Sequence, residues 1–481
     1  MTGKVHAGSS IPVHACLVLM FCLMTVAGCA VGPDYQPLET PVPDTWASPV
    51  PESVSRPGPD VARWWTAFDD PVLVSLVERV FASNLDLKLA ESRIRQARAA
   101  RGIAFAGLGP SVNAGGFFQR SLSSPGGNPG SKTNASEGVI SNLYQIGFDA
   151  AWELDIFGGV RRGVEAADAD LLAAVEGRNG VLVTLAAETA MNYINLRGFQ
   201  QQIRIAQNNL LAQQHNAELT RRKYLAGLTS ALDTVNADAQ AANTAAQIPV
   251  LESSAQQAIY SLAILIAREP GALLPELSTP SPIPATPPSV PAGVPSELLR
   301  RRPDIRSAEA GIHAATARIG VATADLFPKF TLSGSAGFQN NDINSWMNWS
   351  NRFWSFGPSV NWQIFNTGKT LSNIEQTKAL QEQSFIFYQQ TVLTALQEVD
   401  NALIASTKER EHYQALSNAV AANKKAVFLA TELYTHGQTD FLNVLLAQRS
   451  LYASEDSLVQ STRTVSTNLV ALYKALGGGW E

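Results

Sequence analysis

Cysteine is nearly absent from this chain. Its 481 residues hold three, and two of them, Cys16 and Cys22, fall in an N-terminal apolar stretch that reads as a removable leader. A mature chain left with Cys29 alone has no intrachain disulfide and no zinc spacing. Histidine is also scarce: there are six, and His412 and His436 are neither close-spaced nor paired with a cysteine. An excess of positive charge is missing. The formal net charge is −5, and no basic stripe with interleaved aromatics occurs, which argues against nucleic-acid binding. After the leader no run reaches the ~18 apolar residues that a membrane-spanning helix needs. No phosphate loop, nucleophile–base pair or metal constellation is found, so the expectation is a non-enzyme with no catalytic residue, cofactor or metal.

What is present describes an ordered chain, with 45% hydrophobic and 16% charged residues. Residues 1–28 read as a signal peptide, with an apolar run from about Ala15 to Val26. It closes on Val26-Ala27-Gly28-Cys29, small residues before a cysteine as in a bacterial lipobox, so Cys29 is the expected lipidation site. Residues 29–70 follow as an extended tether, with eight prolines between 30 and 60. A first repeat over 71–268 and a second over 297–481 flank a proline-rich linker at 269–296.

The two repeats are most visible at a turn. YLAGLTSALDTVNADA at 224–239 and YTHGQTDFLNVLLAQR at 434–449 superpose Tyr224 on Tyr434, Gly227 on Gly437 and Thr229 on Thr439. A glycine there supplies the positive φ that ends one helix, and the residues after it cap the next. The approaches share a seven-residue register, Leu182, Leu196, Ile203, Leu210, Ala217 and Tyr224 in one copy. In the other it is Val392, Val399, Tyr413, Val420, Val427 and Tyr434, a coiled-coil-like pattern. The ascending helices, about 160–225 and 370–435, would be ~100 Å long, and two shorter helices per copy (for example 71–108 and 231–267) ~55 Å each. Pro249 is the one breaker inside a descending helix, where a kink is expected.

Four strands are expected, at 111–120, 143–155, 329–339 and 353–365. In all of them even-numbered positions are mostly apolar and odd ones polar or small, as in a membrane β-barrel. A soluble sandwich also alternates, but it needs more sheet than four strands provide. Four strands cannot close a barrel, and an open edge is not viable in lipid. The barrel must therefore be shared between chains, and three chains giving twelve strands leave a lumen.

At this point the sequence resembles the TolC-like outer membrane factors, specifically the OprM/NodT lipoprotein branch. The carriers are GCAVGPDY at 28–35, RWWTAFDDPVL at 63–73, LRRRPDIRSAEA at 299–310, QIFNTG at 363–368, LLAQRSLY at 445–452 and the terminal LGGGW. The resemblance implies a mainly α fold, a long helical coiled-coil barrel, with four β-strands per chain completing a twelve-stranded barrel in a homotrimer. It implies a multidrug efflux duct lipid-anchored in the cell outer membrane, with a periplasmic helical tunnel. The implied partners are a periplasmic adaptor and an inner-membrane transporter of the RND type.

The resemblance also assigns positions. The adaptor contacts would be Ala226, Gly227, Leu228 and Thr229 in the first tip and His436, Gly437, Gln438 and Thr439 in the second. The periplasmic gate would comprise Asp233, Tyr434, Asn443 and Leu446, with Thr439 standing where a basic latch residue is found in TolC itself. Two bland readings stay open: the tips as simple capped turns, and Asp233 as a helix cap, since Ser230-x-x-Asp233 is close to a capping box. Alternative functions are a type I protein-secretion channel and a non-pore structural coiled-coil lipoprotein.

Overall fold

The structure, a computed structural model, describes residues 30–48, 61–123, 139–287 and 294–480, so Cys29 and the leader lie outside it. The chain divides into two compact units. Of the described residues, one combines those within Met1–Leu38, Arg95–Leu172 and Glu309–Ile386; the other combines those within Glu39–Ile94, Ala173–Ala308 and Phe387–Glu481.

The first unit contains the sheet. Strands β1 (Ser111–Ser123), β2 (Val139–Leu154), β3 (Lys329–Asn340) and β4 (Arg352–Asn361) pair antiparallel in the order β1-β2-β3-β4. The register sets Val112 opposite Ala150, Phe148 opposite Ala336 and Ala336 opposite Trp354, so even positions meet even positions across every pair. One face of the whole sheet is therefore the even one, as the alternation predicts. On it Phe118, Phe148, Trp354, Phe356 and Val360 are 56–75% exposed, an apolar surface too large to leave in water. Among the described residues, the outer sides of β1 and β4 have no partner strand.

The strand limits differ from expectation at the loops. β1 and β2 continue together to Ser123 and Val139, where the Ser121 and Ser141 hydroxyls are 2.9 Å apart. β4 stops at Asn361, because Trp362 turns away to donate its Nε1–H to the Leu326 carbonyl at 3.0 Å. Trp152, its counterpart at the foot of β2, donates to the Leu108 carbonyl at 2.8 Å.

The start of the expected tether is extended but held fast. Val31 donates to the Phe157 carbonyl at 3.0 Å, and Asp34 pairs with the buried Arg162 at 2.5 Å. Tyr35 stacks on His313 at 4.3 Å and donates to Glu309 at 2.9 Å. Gly32, at φ +93°, packs where an added Cβ would be 2.5 Å from Gly320 Cα, which only glycine tolerates.

Helices fill the rest. α1 (Pro71–Ser83) and α2 (Leu85–Ala106) stand where one helix over 71–108 is expected. Asn84 breaks it: its Oδ1 accepts from the Asp86 and Leu87 N–H groups, and its Nδ2 donates to the Leu265 carbonyl. An asparagine at such a boundary is a cap for the second helix. α3 (Gly159–Leu225) and α8 (Lys369–Thr435) have 67 residues each, ~100 Å at the helical rise, as expected. α4 (Ala231–Leu265) runs unbroken through Pro249, and α9 (Phe441–Ala475) matches its length of 35 residues. α5 (Leu274–Leu277) lies in the linker region, and the second repeat opens with α6 (Pro295–Arg301) and α7 (Pro303–Ala324).

The most specific sequence motif turns out to be a clasp. Arg302, between α6 and α7, is buried and pairs with Asp304 at 2.7 Å and Glu398 at 2.6 Å, and donates to the Ala475 carbonyl at 2.9 Å. These carboxylates raise its pKa against the lowering effect of burial, the largest single influence. RWWTAFDDPVL and LGGGW meet in the same unit. Trp64 stacks on Tyr473 at 5.2 Å, and Gly478 sits where a Cβ would be 2.6 Å from the Val61 carbonyl oxygen. Asp70 caps α1 and accepts from the Tyr193 hydroxyl at 2.8 Å, and burial pushes that phenol up to about 12.

Candidate functional site

Each repeat contains the same turn, between its long helix and the next one. Gly227 and Gly437 both adopt φ +75°. In the first, the Leu228 N–H donates to the Lys223 carbonyl at 2.8 Å and that of Gly227 to Tyr224 at 2.9 Å. In the second, Gln438 donates to Leu433 at 2.8 Å and Gly437 to Tyr434 at 3.1 Å. This pair of bonds satisfies the last carbonyls of a helix and requires a left-handed residue between them. An added Cβ at either glycine meets nothing within 4 Å, so the backbone angle, not space, demands glycine.

The turns start the next helix differently. Ser230 accepts from the Asp233 N–H and the Asp233 carboxylate accepts from the Ser230 N–H, both at 3.3 Å, while Thr229 donates to the same carboxylate at 2.5 Å. The capping box half-expected from the sequence is therefore formed, and the Thr229 hydroxyl is the main cause holding Asp233 below its ordinary pKa. In the second tip Asp440 makes no side-chain cap bond, and Asn443 donates to Thr439 at 2.7 Å instead.

The two tips pack on each other through Ala217, Ala237, Tyr434, Phe441, Val444 and Leu445. Tyr434 lies in this cluster, 5% exposed, with its hydroxyl 3.3 Å from Thr220 Oγ1. Lys223 covers it: Nζ is 4.0 Å from the Tyr434 ring centroid and donates to the Tyr434 carbonyl. The last turn of α8 carries no basic residue, whereas that of α3 has Arg222 and Lys223. Lys223 thus supplies the cation that the carbonyl end of α8 lacks.

Of the positions expected at the contact surface, Ala226, Gly227, Leu228, His436, Gly437 and Gln438 are exposed, and Thr229 and Thr439 half-buried. Asn443 and Leu446 are exposed, Asp233 is occupied as a cap, and Tyr434 is buried in the cluster rather than presented with them. Packing is the reason: Tyr434 lies against Phe441 at 5.5 Å, and its counterpart Tyr224 remains 45% exposed. Lys223 escaped the sequence reading. Its one signal was the absence of any lysine or arginine in the corresponding turn of α8.

A sheet with an exposed apolar face, long helices in duplicate and exposed turn tips define a channel protein of the bacterial outer membrane. Residues 76–268 and 294–478 match the family model described as Outer membrane efflux protein, and the chain belongs to that family. It is similar to Nodulation protein T of Rhizobium leguminosarum bv. trifolii, 32% identical over 466 residues, covering 96% of this chain and 97% of the relative. The pyoverdine export outer membrane protein OpmQ of Pseudomonas aeruginosa is 34% identical over 426 residues, with 88% of each chain covered. Among solved structures, the outer-membrane channel OprN aligns with a TM-score of 0.86 at 38% identity, over 94% of this chain and all of the other (100%).

Proposed function

We propose that three copies of the chain join their sheets edge to edge into a twelve-stranded barrel, forming a passive exit duct for small toxic organic compounds. The observation that carries this reading is the four-stranded sheet with an exposed apolar face and two edges unpaired among the described residues, which lipid tolerates only in a closed barrel. The tips dock a periplasmic adaptor through Ala226–Thr229 and His436–Thr439, and the adaptor joins the duct to an inner-membrane transporter of the RND type. That transporter supplies the energy, so the duct performs no chemistry. Asn443 and Leu446 line the periplasmic gate, and Asp233 and Tyr434 hold the shape of the tips around it. Cys29 carries the lipid.

Conductance in planar bilayers, combined with charge insertion on the two faces, tests the barrel. Arg at Ala336 or Val360 should destabilise by ~2–4 kcal/mol if near the midplane, whereas Arg at Ser333 or Asn361 should cost little and shift ion selectivity. Equal tolerance on both faces would refute the assignment. Cys29→Ala behind a cleavable signal should still insert, because a closed barrel holds the protein in the bilayer without the lipid; a protein found soluble in the periplasm would count against the barrel.

A further inference from the structure

The odd face of the sheet is polar or small along most of its length, as the inner wall of a water-filled barrel should be. Phe117, Leu143 and Phe353 are its large apolar exceptions among the described side chains. Phe353 has an unusual setting. The register places Gly115, Gly147, Gly337 and Phe353 in one row across all four strands. Phe353 Cζ lies 3.3 Å from where a Cβ on Gly147 would be, two strands away from β4. Neighbouring strands are ~4.8 Å apart, so the ring reaches that point only by lying across Gly337. It rests along the wall instead of pointing into the lumen. The floor admits no side chain: a Cβ on Gly337 would be 2.2 Å from the Ile146 carbonyl oxygen, and one on Gly147 2.7 Å from that of Ala336.

The next row on the same face contains Asn113, Asp149, Ser335 and Ser355. Asp149 follows Gly147 by two residues, ~7 Å along β2 on the same face, so the carboxylate and the Phe353 ring belong to neighbouring rows of the wall. The side chain is exposed, and among the described residues it has no ion-pair or hydrogen-bond partner. The other charges on this face are Glu153 and Lys329, and Lys329 is paired with Asp325 at 3.1 Å. An aromatic face next to an unneutralised carboxylate attracts a cation that also carries apolar or aromatic groups, through cation–π attraction, apolar contact and charge together.

We propose that Phe353 and Asp149 form a transient site for lipophilic organic cations on the inner barrel wall, one per chain. The site rests on the channel reading above. Phe353 selects for the apolar or aromatic body of the solute, and Asp149 selects for its charge. The site is shallow and open to the lumen, which suits a solute that must leave again.

Block of single-channel current by tetraphenylphosphonium, in the purified full-length protein reconstituted in planar bilayers, tests the site, with tetraethylammonium as the non-aromatic cation. Phe353→Ala should weaken block by tetraphenylphosphonium by about three- to tenfold and leave that by tetraethylammonium unchanged. Phe353→Tyr should retain the wild-type block. Asp149→Asn changes an exposed side chain without disturbing the sheet, and should weaken block by both cations. Block by tetraphenylphosphonium that is the same in wild type, Phe353→Ala and Asp149→Asn would overturn the site while leaving the channel intact. A wild-type protein that forms no conducting pore would overturn the channel reading and the site with it.

Discussion

At Gly227 the chain turns with Tyr224 45% exposed, and at Gly437 the equivalent Tyr434 is 5% exposed beneath Lys223. The turn hydrogen bonds and glycine angles are the same in both tips. Duplication preserved what the backbone requires and released the rest. The first tip caps its next helix through Ser230 and Asp233; the second spends its aromatic residues on the joint between the tips. Each tip is thus complete only in part: one provides the capped helix start, the other the shared core, and Lys223 bridges them.

The largest effect should separate the two tyrosines. Tyr434→Ala removes a buried aromatic ring and should destabilise the tip region by ~3–5 kcal/mol, whereas Tyr224→Ala should stay within ~0.5 kcal/mol. Hydrogen exchange at the ends of α8 and α9 reads the difference. Equal protection in the two variants would end the asymmetry.

Gly437→Trp forces a bulky residue into positive φ at a cost of ~1–2 kcal/mol, and it obstructs the exposed turn. Assembly should survive while cells become sensitive to pump substrates. Normal transport and normal copurification with the adaptor would mean that the tip is not the docking surface.

Asp233→Ala should cost ~1 kcal/mol as a lost cap, and Asn443→Ala less. The pKa of Asp233 is lowered in the fold, so its contribution is present above the unfolded carboxylate value and is lost as the pH falls through the folded one. Melting curves of wild type and variant should therefore converge under acid conditions, below about pH 4. Block of channel current by multivalent cations should be the same in the two proteins. A weaker block in Asp233→Ala would return the carboxylate to the gate.

The smallest effect is that of Lys223→Met, which keeps the apolar stem and removes the charge. A loss of ~0.5–1 kcal/mol is expected from the helix-end and ring contacts together. The size of the change when the same substitution is repeated in Tyr434→Ala shows whether the two contacts act as one.

Much of this molecule could be read before folding it. The duplicated turns, the 67-residue helices and the even–odd alternation of the strands follow from patterns of a few residues, and each is found in the structure. Asn84 was hidden because a single asparagine in an otherwise helical run looks like an interior residue, and its capping role depends on the Asp86 and Leu87 amides. Three of the motifs that carry the family resemblance, LRRRPDIRSAEA, RWWTAFDDPVL and LGGGW, proved to be structural. Arg302 clasps α7, α8 and the end of α9, and Trp64 stacks on Tyr473. They announce the fold because they join elements distant in the chain, and they say little about cargo.

The sequence by itself determined the repeat, the alternation of the strands and the two turn glycines, and offered the Ser230–Asp233 box as one of two readings, because each depends on neighbours a few positions away. Only the tertiary structure decided which tyrosine is buried, where Lys223 places its charge and how Phe353 lies over Gly337 and Gly147. Those depend on contacts between residues about two hundred positions apart, and no local spacing encodes which of two matching side chains a distant segment will cover.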